Sequence, residues 1–269
     1  MTARTQELDR RWLKRFGPRD DAAVRLLCFH YAGGSASMYR RWPLLMTPSV
    51  EPIAVQLPGR ADRFNEPAYH RMAPLVDELI EVVEPLLDRP FACYGVSMGA
   101  RVSWALAHAL RERGMPMPLR LYVACDAAPL TDNGVWKWEG REDGLEGYVR
   151  EMGGTPPEVL AEPMLLAALL PTLRADLTVL STHGFRPARP LDLPIHAFCG
   201  VDDIEAPPRR MRDWQAETSA RFVLDTMACG HFFDADTERQ VIDTIGRDLT
   251  AEDRSAPGSR DTTAPRPGP

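Results

Sequence analysis

The strongest indication of the fold is the segment Phe91-Ala92-Cys93-Tyr94-Gly95-Val96-Ser97-Met98-Gly99-Ala100. It begins as a short apolar run and continues through Gly95-x-Ser97-x-Gly99 into Met98–Arg113, where apolar residues recur at helical spacing. A strand that turns this sharply into a helix needs small residues around the serine, because larger side chains would collide. The serine would then project above the sheet at the positive end of the helix. We interpret Ser97 as a candidate nucleophile; the alternative is a tight connection without chemistry.

Apolar runs with little alternation surround this stretch, as is typical of strands buried on both faces. The six predicted strands are Val24–Phe29, Pro52–Gln56, Phe91–Tyr94, Leu119–Cys125, Ile195–Cys199 and Phe222–Met227. Amphipathic stretches separate the strands, including a predicted helix at Met72–Leu87, and a further predicted helix, Thr237–Leu249, follows the last strand. This alternation predicts an α/β protein with a mostly parallel sheet flanked by helices. Together with the serine turn it predicts the α/β-hydrolase fold.

Residues 130–188 interrupt the alternation and contain short helical segments, among them the apolar Leu165–Leu170. An insertion at this point of an α/β sheet is placed to form a helical lid over the strand ends. Residues 252–269 are rich in Pro, Ser, Thr, Gly and charge, which predicts a disordered tail. We therefore expect one α/β-hydrolase domain over residues 1–251, with the lid inserted in it.

The composition excludes several classes of function. The 269 residues carry a formal net charge of −6, which argues against nucleic-acid binding. No apolar run approaches the roughly 20 residues that span a bilayer, and residues 1–16 lack a signal-peptide core. Five cysteines without a Cys-x-x-Cys pair indicate buried apolar residues in a reducing compartment. We expect a cytoplasmic monomer with no metal, dissociable cofactor, nucleic-acid or membrane partner.

A second element supports the nucleophile. The small, glycine-rich loop Phe29–Ser37 follows the first predicted strand, where hydrolases of this fold place an N–H group that binds the oxyanion. We predict Ala32 as that donor, and Met98, which follows the serine, as the other. A phosphate-binding loop is the weaker interpretation, because no Gly-Lys-[Ser/Thr] follows.

A serine nucleophile needs a base, and the base needs an orienting acid. In this fold the chain order is Ser, acid, His. His231 lies between the last predicted strand and the final helix, so its loop can return over the serine. We interpret the other candidates, His70, His108, His183 and His196, as surface or packing residues. Asp202 and Asp203 both follow the strand Ile195–Cys199, and spacing alone does not choose between them. Asp126, at the end of the preceding strand, is a third candidate, with a turn or helix cap as its alternative role.

The sequence resembles the type II thioesterases, the stand-alone editing hydrolases of polyketide and nonribosomal peptide synthesis. The resemblance runs from Trp12 to the final helix. Its motifs are Leu27–Ser37, Val55-Gln56-Leu57-Pro58-Gly59-Arg60, Gly95–Ala100, Leu170-Pro171-Thr172-Leu173-Arg174-Ala175-Asp176 and Gly230–Phe233. The second and fourth motifs have no catalytic reason from first principles, and they make the resemblance far more specific than the serine motif alone.

The resemblance implies a Ser-Asp-His triad, a flexible lid and acyl groups carried on the phosphopantetheine arm of an acyl or peptidyl carrier protein. The family pattern Gly-x-x-Asp selects Asp203 over Asp202, and the pattern favours Met98 and Ala32 as oxyanion donors. Among the departures from the family, Val96 stands where His is usual, and His30 where Pro is usual. These departures leave every triad member in place and bear on acyl-chain specificity.

Other functions remain open at this point. A general carboxylesterase of small oxygen esters would share the sheet and the triad. A non-catalytic carrier-binding protein would need only the fold. The start at Met1 and the absence of a carrier-type Asp-Ser-Leu motif lead us to expect a discrete enzyme rather than a releasing domain of a larger synthase.

Overall fold

The computed structural model describes residues 11–129, 141–181 and 188–255. Its described residues form a seven-stranded sheet in the order β1-β3-β2-β4-β5-β6-β7. The strands are β1 (Leu13–Lys14), β2 (Val24–Phe29), β3 (Val50–Val55), β4 (Phe91–Val96), β5 (Leu121–Ala124), β6 (Ile195–Gly200) and β7 (Phe222–Met227). β1 pairs antiparallel with β3, and every other pair is parallel. The predicted mostly parallel sheet is confirmed.

Helices cover the sheet and connect its strands. They are α1 (Trp42–Leu45), α2 (Met72–Val83), α3 (Met98–Glu112), α4 (Gly144–Met152), α5 (Pro157–Ala161), α6 (Pro163–Ser181), α7 (Pro208–Met211) and α8 (Ala235–Ser255). Short 3-10 turns occur at Ala36–Tyr39, Ala61–Arg63, Glu84–Leu86 and Arg212–Glu217.

Most residues of the central strands are apolar because these strands contribute to two layers of the core. On β2, Leu27 and Phe29 belong to the layer under α2 and α3, while Leu26 and Cys28 belong to the layer under α1 and α8. Alternate side chains of a strand point to opposite faces, so both faces of the sheet are buried. All five cysteines are free thiols and four are fully buried, as predicted for apolar residues.

Several predicted boundaries need correction. β5 spans Leu121–Ala124 rather than Leu119–Cys125, and it ends before Cys125 because that residue adopts φ +53°. The helix predicted at Met72–Leu87 ends at Val83, and a 3-10 turn containing Pro85 follows, since proline lacks the N–H that the helix would need. The two-residue β1 was not predicted, because a strand so short has no periodicity to detect.

The C-terminal helix also differs from the prediction. α8 runs from Ala235 to Ser255, so its backbone includes residues 252–255, which we assigned to the tail. The remainder of the predicted tail, residues 256–269, lies outside the described residues.

The inserted segment carries α4, α5 and α6, and its described part is residues 141–181. α6 is much longer than the predicted Leu165–Leu170 and continues through Pro171, which stands at an exposed position. By length and mean hydropathy, 1.5 over its most apolar 18 residues, α6 could cross a membrane. A helix packed inside a protein passes the same test, and Leu166, Leu173 and Leu177 of α6 are buried against α4.

Candidate active site

Ser97 lies in a strained turn between β4 and α3. Its φ of +52° and ψ of −119° place a non-glycine residue in a sparsely populated backbone region. A Cβ on Gly95 would lie 2.2 Å from the carbonyl carbon of Gly99, and a Cβ on Gly99 would lie 2.2 Å from the carbonyl oxygen of Phe29. Both glycines are therefore required by close backbone approach, as the sequence predicted.

The start of α3 lies directly beside the serine. The Ser97 N–H donates to the Ala124 carbonyl of β5 at 2.7 Å, which fixes the turn to the sheet. Met98 is the first residue of α3, and the first N–H groups of a helix have no partner within the helix. The positive end of the helix dipole is therefore directed to the space next to the serine.

His231 and Asp203 are joined by a hydrogen bond. Their closest atoms, His231 Nδ1 and Asp203 Oδ2, are 2.9 Å apart. Oδ1 of Asp203 also accepts the backbone N–H groups of Glu205 at 2.8 Å and Ala206 at 2.9 Å. These contacts hold the carboxylate in one orientation against the imidazole.

Gly200 brings the acid and the histidine loops together. A Cβ on Gly200 would lie 2.1 Å from the carbonyl oxygen of Cys229 and 2.3 Å from that of Gly230. Only glycine allows the chain just before His231 to approach the end of β6 this closely. This explains in physical terms why the Gly-x-x-Asp pattern begins with glycine.

The surroundings of Asp203 favour its ionised form. Burial raises the pKa of this carboxyl group, but the hydrogen bond and charge of His231, with the two backbone N–H groups, outweigh burial and lower the pKa below its ordinary value. Asp203 is therefore an anion at neutral pH and can fix the imidazole tautomer through Nδ1.

The other two candidate acids are placed differently. Asp202 is exposed to solvent beside Asp203. Asp126 forms an ion pair with Arg101 of α3, with 3.0 Å between Arg101 Nε and Asp126 Oδ2, and its carbonyl accepts the indole N–H of Trp214 at 2.6 Å. Of the three candidate acids, Asp203 is the one that contacts His231.

The remaining described histidines have packing or surface positions. His196 bridges Asp225 and Asp248 at 3.0 and 2.8 Å, which connects β6 to β7 and α8. His108 packs on the ring of Trp104 at 4.2 Å between centroids, and His70 is exposed. His183 lies outside the described residues.

The glycine-rich loop after β2 lies beside the serine. Ala32 and Gly33 line the same cavity as Ser97 and His231. Behind the loop, His30 is buried, and its Nδ1 lies 2.8 Å from the Tyr31 carbonyl oxygen. Burial, with a smaller contribution from the charge of Arg60, lowers the pKa of His30 to about 4, so this ring is neutral at physiological pH.

The cavity has a volume of about 240 Å³. Most of its wall is apolar and comes from the lid, including Val149, Val159, Leu169, Leu173 and Leu177. Such a cavity, apolar with a few convergent polar groups, is typical of a small-molecule site. Among the described residues, no group of three His, Cys, Asp or Glu is placed to hold a metal ion.

Three residues of the cavity wall were not predicted from the sequence. Tyr31 and Phe232 form an edge-to-face pair with ring centroids 5.2 Å apart. The Phe232 ring also packs so closely on Gly154 of the lid that a Cβ there would lie 2.1 Å from its Cζ. Tyr31 and Phe232 adjoin Ala32 and His231 in the sequence, and this adjacency was the available signal. The contact of Phe232 with Gly154 of the lid has no sequence signature.

A buried ion pair connects the lid to the glycine-rich loop. The Asp176 carboxylate of α6 accepts two hydrogen bonds from the Arg60 guanidinium, at 2.6 and 2.7 Å. Oδ2 of Asp176 also accepts the Gly33 N–H at 2.7 Å. These contacts give a structural role to two motifs for which the sequence offered none.

The fold and the serine turn define the α/β hydrolases as the structural class of this protein. Comparisons with known proteins identify the family within this class. The thioesterase domain family matches residues 24–249. Thioesterase PikA5 of Streptomyces venezuelae is 34% identical over 252 residues, covering 93% of this chain and 89% of that one.

Solved structures agree with this match. RedJ, a thioesterase from the prodiginine biosynthetic pathway in Streptomyces coelicolor, superposes with a TM-score of 0.81 at 31% identity, covering 86% of this chain and 92% of that one. The type II thioesterase BorB from the borrelidin biosynthetic cluster gives 0.80 at 31% identity, covering 88% and 97%. The chain belongs to the thioesterase domain family and, within it, to the type II thioesterases. It is therefore a thioester hydrolase of the serine hydrolase class, as the sequence motifs indicated.

Proposed function

We propose that this protein hydrolyses acyl groups from the phosphopantetheine arm of an acyl or peptidyl carrier protein, with Ser97, His231 and Asp203 as its catalytic triad. The observation that carries the proposal is the Asp203–His231 hydrogen bond at a cavity that both His231 and Ser97 line. The apolar lid wall of that cavity suits an acyl chain. Its relatives include a thioesterase of the prodiginine pathway and a type II thioesterase of the borrelidin cluster.

In the proposed mechanism the Ser97 hydroxyl attacks the thioester carbonyl while His231 takes its proton. The oxygen of the tetrahedral intermediate becomes an anion, and the N–H groups of Met98 and Ala32 stabilise it. The carbon–sulfur bond then breaks, and His231 returns the proton to the departing thiol of the arm. Asp203 holds the imidazole through Nδ1 and stabilises its charged form.

Water completes the cycle. His231 removes a proton from a water molecule, which attacks the acyl–Ser97 ester, and the tetrahedral intermediate uses the same two N–H groups. Its collapse releases the free acid and returns the proton to Ser97. The phosphopantetheine arm belongs to the substrate, and the proposed reaction needs no dissociable cofactor.

The nucleophile is tested with a fluorophosphonate probe, which labels an activated serine covalently. We expect stoichiometric labelling of the wild type at Ser97 and none of Ser97→Ala, which should remain folded because the serine side chain is only partly buried. Labelling of a different residue, or wild-type thioester hydrolysis by Ser97→Ala, would contradict the triad assignment.

The substrate class is tested by comparing kcat/KM for a propionyl carrier protein with kcat/KM for p-nitrophenyl propionate. A carrier-specific thioesterase should strongly prefer the carrier-bound thioester. A preference for the oxygen ester would favour a general carboxylesterase, and stable binding of the carrier without turnover would favour a non-catalytic binding protein.

A further inference from the structure

We infer that the buried Arg60–Asp176 pair is a positioning device for the oxyanion loop, which we define as residues Tyr31–Ala36. The inference rests on the proposed function, because it assigns to this pair the orientation of the Ala32 N–H. Neither side chain lines the active-site cavity, so both act through the loop.

The pair lies deep in the protein. The side chains of Arg60 and Asp176 are 6% and 2% exposed, and the guanidinium donates to both carboxylate oxygens. Arg60 is also fixed by its own turn, because its Nε and Nη2 donate to the Pro58 carbonyl at 3.1 and 3.0 Å. A bidentate pair held in this way has a single geometry.

From that fixed pair, two hydrogen bonds reach the oxyanion loop. Asp176 Oδ2 accepts the Gly33 N–H at 2.7 Å, and Arg60 Nη1 donates to the Gly34 carbonyl at 3.4 Å. Gly33 adopts φ +75°, a left-handed conformation suited to glycine. The peptide group that Asp176 holds directly follows the one that carries the Ala32 N–H, so a rotation of one changes the direction of the other.

Two further hydrogen bonds support this arrangement, one to the end of the loop and one between the lid and the segment Gln56–Arg60. Gln56 Oε1 accepts the Ala36 N–H at 3.0 Å, which fixes the far end of the loop. Thr172, one turn before Asp176 on α6, donates to the Gly59 carbonyl at 2.7 Å. The lid helix is thereby attached to the segment Gln56–Arg60, and the oxyanion loop lies between them.

This arrangement predicts that the pair contributes to the transition state more than to substrate binding. A donor must be placed to within a fraction of an ångström of the oxyanion, whereas the acyl chain contacts the apolar lid wall. Loosening the loop should therefore lower kcat and leave KM nearly unchanged.

The test uses Asp176→Asn and the propionyl thioester of N-acetylcysteamine, a substrate without a carrier protein. We expect kcat to fall about 10- to 100-fold with KM within about twofold of the wild type. This substrate has no carrier protein, so the comparison of kcat and KM remains valid even if the natural substrate is not bound to a carrier protein. Arg60→Lys keeps the charge but not the bidentate contact, and should give an intermediate kcat.

A second readout does not depend on the fraction of folded enzyme. An alkylboronic acid takes the Ser97 oxygen onto boron while His231 accepts the hydroxyl proton, and a boronate oxygen then occupies the oxyanion position. Its Kd for Asp176→Asn should rise in parallel with the loss of kcat. An unchanged Kd would overturn the inference.

A charge-free double variant separates positioning from stability. Breaking a buried ion pair leaves an uncompensated charge, but removing both partners is often nearly neutral. Arg60→Met/Asp176→Leu should therefore recover much of the Tm that Asp176→Asn loses, while kcat stays low. Recovery of kcat together with Tm would show that the pair is only structural.

The matched control is Glu66→Gln. This variant removes the carboxylate that pairs with Arg63 at 2.6 Å. The side chain of Arg63 is as buried as that of Arg60 and belongs to the same segment of the chain. The Glu66 carboxylate pairs with Arg63 and Arg11, and neither of these residues belongs to the oxyanion loop. We expect wild-type kcat and boronate Kd for this variant; losses equal to those of Asp176→Asn would also overturn the inference.

Discussion

At the scale of single residues, neighbouring side chains with the same chemistry have different roles because of what they contact. Asp203 is buried and holds His231, whereas Asp202 next to it is exposed. Spacing from β6 could not separate them, because a turn can direct either side chain inward. The resemblance to the thioesterases selected Asp203, and the structure gives the contact that the selection implies.

The two aspartates form a matched pair for mutation. Asp203→Asn should lower kcat by on the order of 10³- to 10⁴-fold, because an amide can stabilise the wrong imidazole tautomer and cannot balance an imidazolium charge. Asp202→Asn should leave kcat unchanged. Steady-state thioester hydrolysis measures both, and a large loss in Asp202→Asn alone would mean that the acid has been misassigned.

The buried His30 leads to a prediction of how the free energy of unfolding depends on pH. Its pKa is about 4 in the folded protein, lowered first by burial and then by Arg60, and about 6.5 when unfolded. Between these values the unfolded chain binds more protons, so His30 makes the folded state less stable as the pH falls from 6.5 towards 4. The expected slope is up to about 1.4 kcal/mol per pH unit.

The measurement is the free energy of unfolding in urea across this pH range for the wild type and for His30→Gln. The difference between the two isolates the histidine from the carboxyl groups that titrate in the same range. We expect the wild type to lose stability relative to the variant below pH 6.5. A difference that is independent of pH would contradict the assigned burial of a neutral ring.

At the scale of elements, the lid meets the loops that carry Ala32 and His231 at a contact between an aromatic ring and a glycine. Phe232 follows His231, pairs with Tyr31 and packs on Gly154, which lies between α4 and α5. The position of the lid and the direction of the His231 loop are thereby coupled. The sequence predicted a lid but not this contact, because contacts between distant segments leave no local pattern.

Gly154→Ala tests the coupling. The new methyl group would lie 2.1 Å from Phe232 Cζ, so the ring or the lid loop must move. We expect kcat/KM to fall on the order of tenfold to a hundredfold, since displacements near 1 Å beside the reacting groups have such effects. The control is Gly230→Ala, whose Cβ meets nothing within 4 Å although it adjoins His231. Equal effects from both variants would argue against a role for the ring contact.

At the scale of the whole molecule, the sequence predicted most of the sheet because every residue of β2 to β6 is buried. Val24–Phe29 and Phe222–Met227 match the structure at both ends. The antiparallel β1 was missed because two residues are too few to form a pattern. The continuation of α6 through Pro171 was missed because tertiary packing stabilises this helix against the low helix propensity of proline.

The residues of the candidate site also form two groups, those that a local sequence pattern indicates and those that only the fold brings together. Ser97 could be proposed as the nucleophile because a strand, a glycine turn and a helix adjoin in sequence, and His231 could be proposed as the base from its place after the last strand. Arg60 and Asp176 are 116 residues apart, and only the fold brings them together. Sequence reasoning therefore indicates candidate reacting residues more readily than the side chains that position the loops around them.

The proposed function is tested most directly by following the intact mass of a propionyl-loaded carrier protein over time, with the wild-type enzyme and with Ser97→Ala. We predict that the wild type converts the carrier to its free-thiol form with release of propionate, and that Ser97→Ala leaves it acylated. A carrier that stays acylated with the wild type, while p-nitrophenyl propionate is hydrolysed, would contradict the carrier-thioesterase proposal.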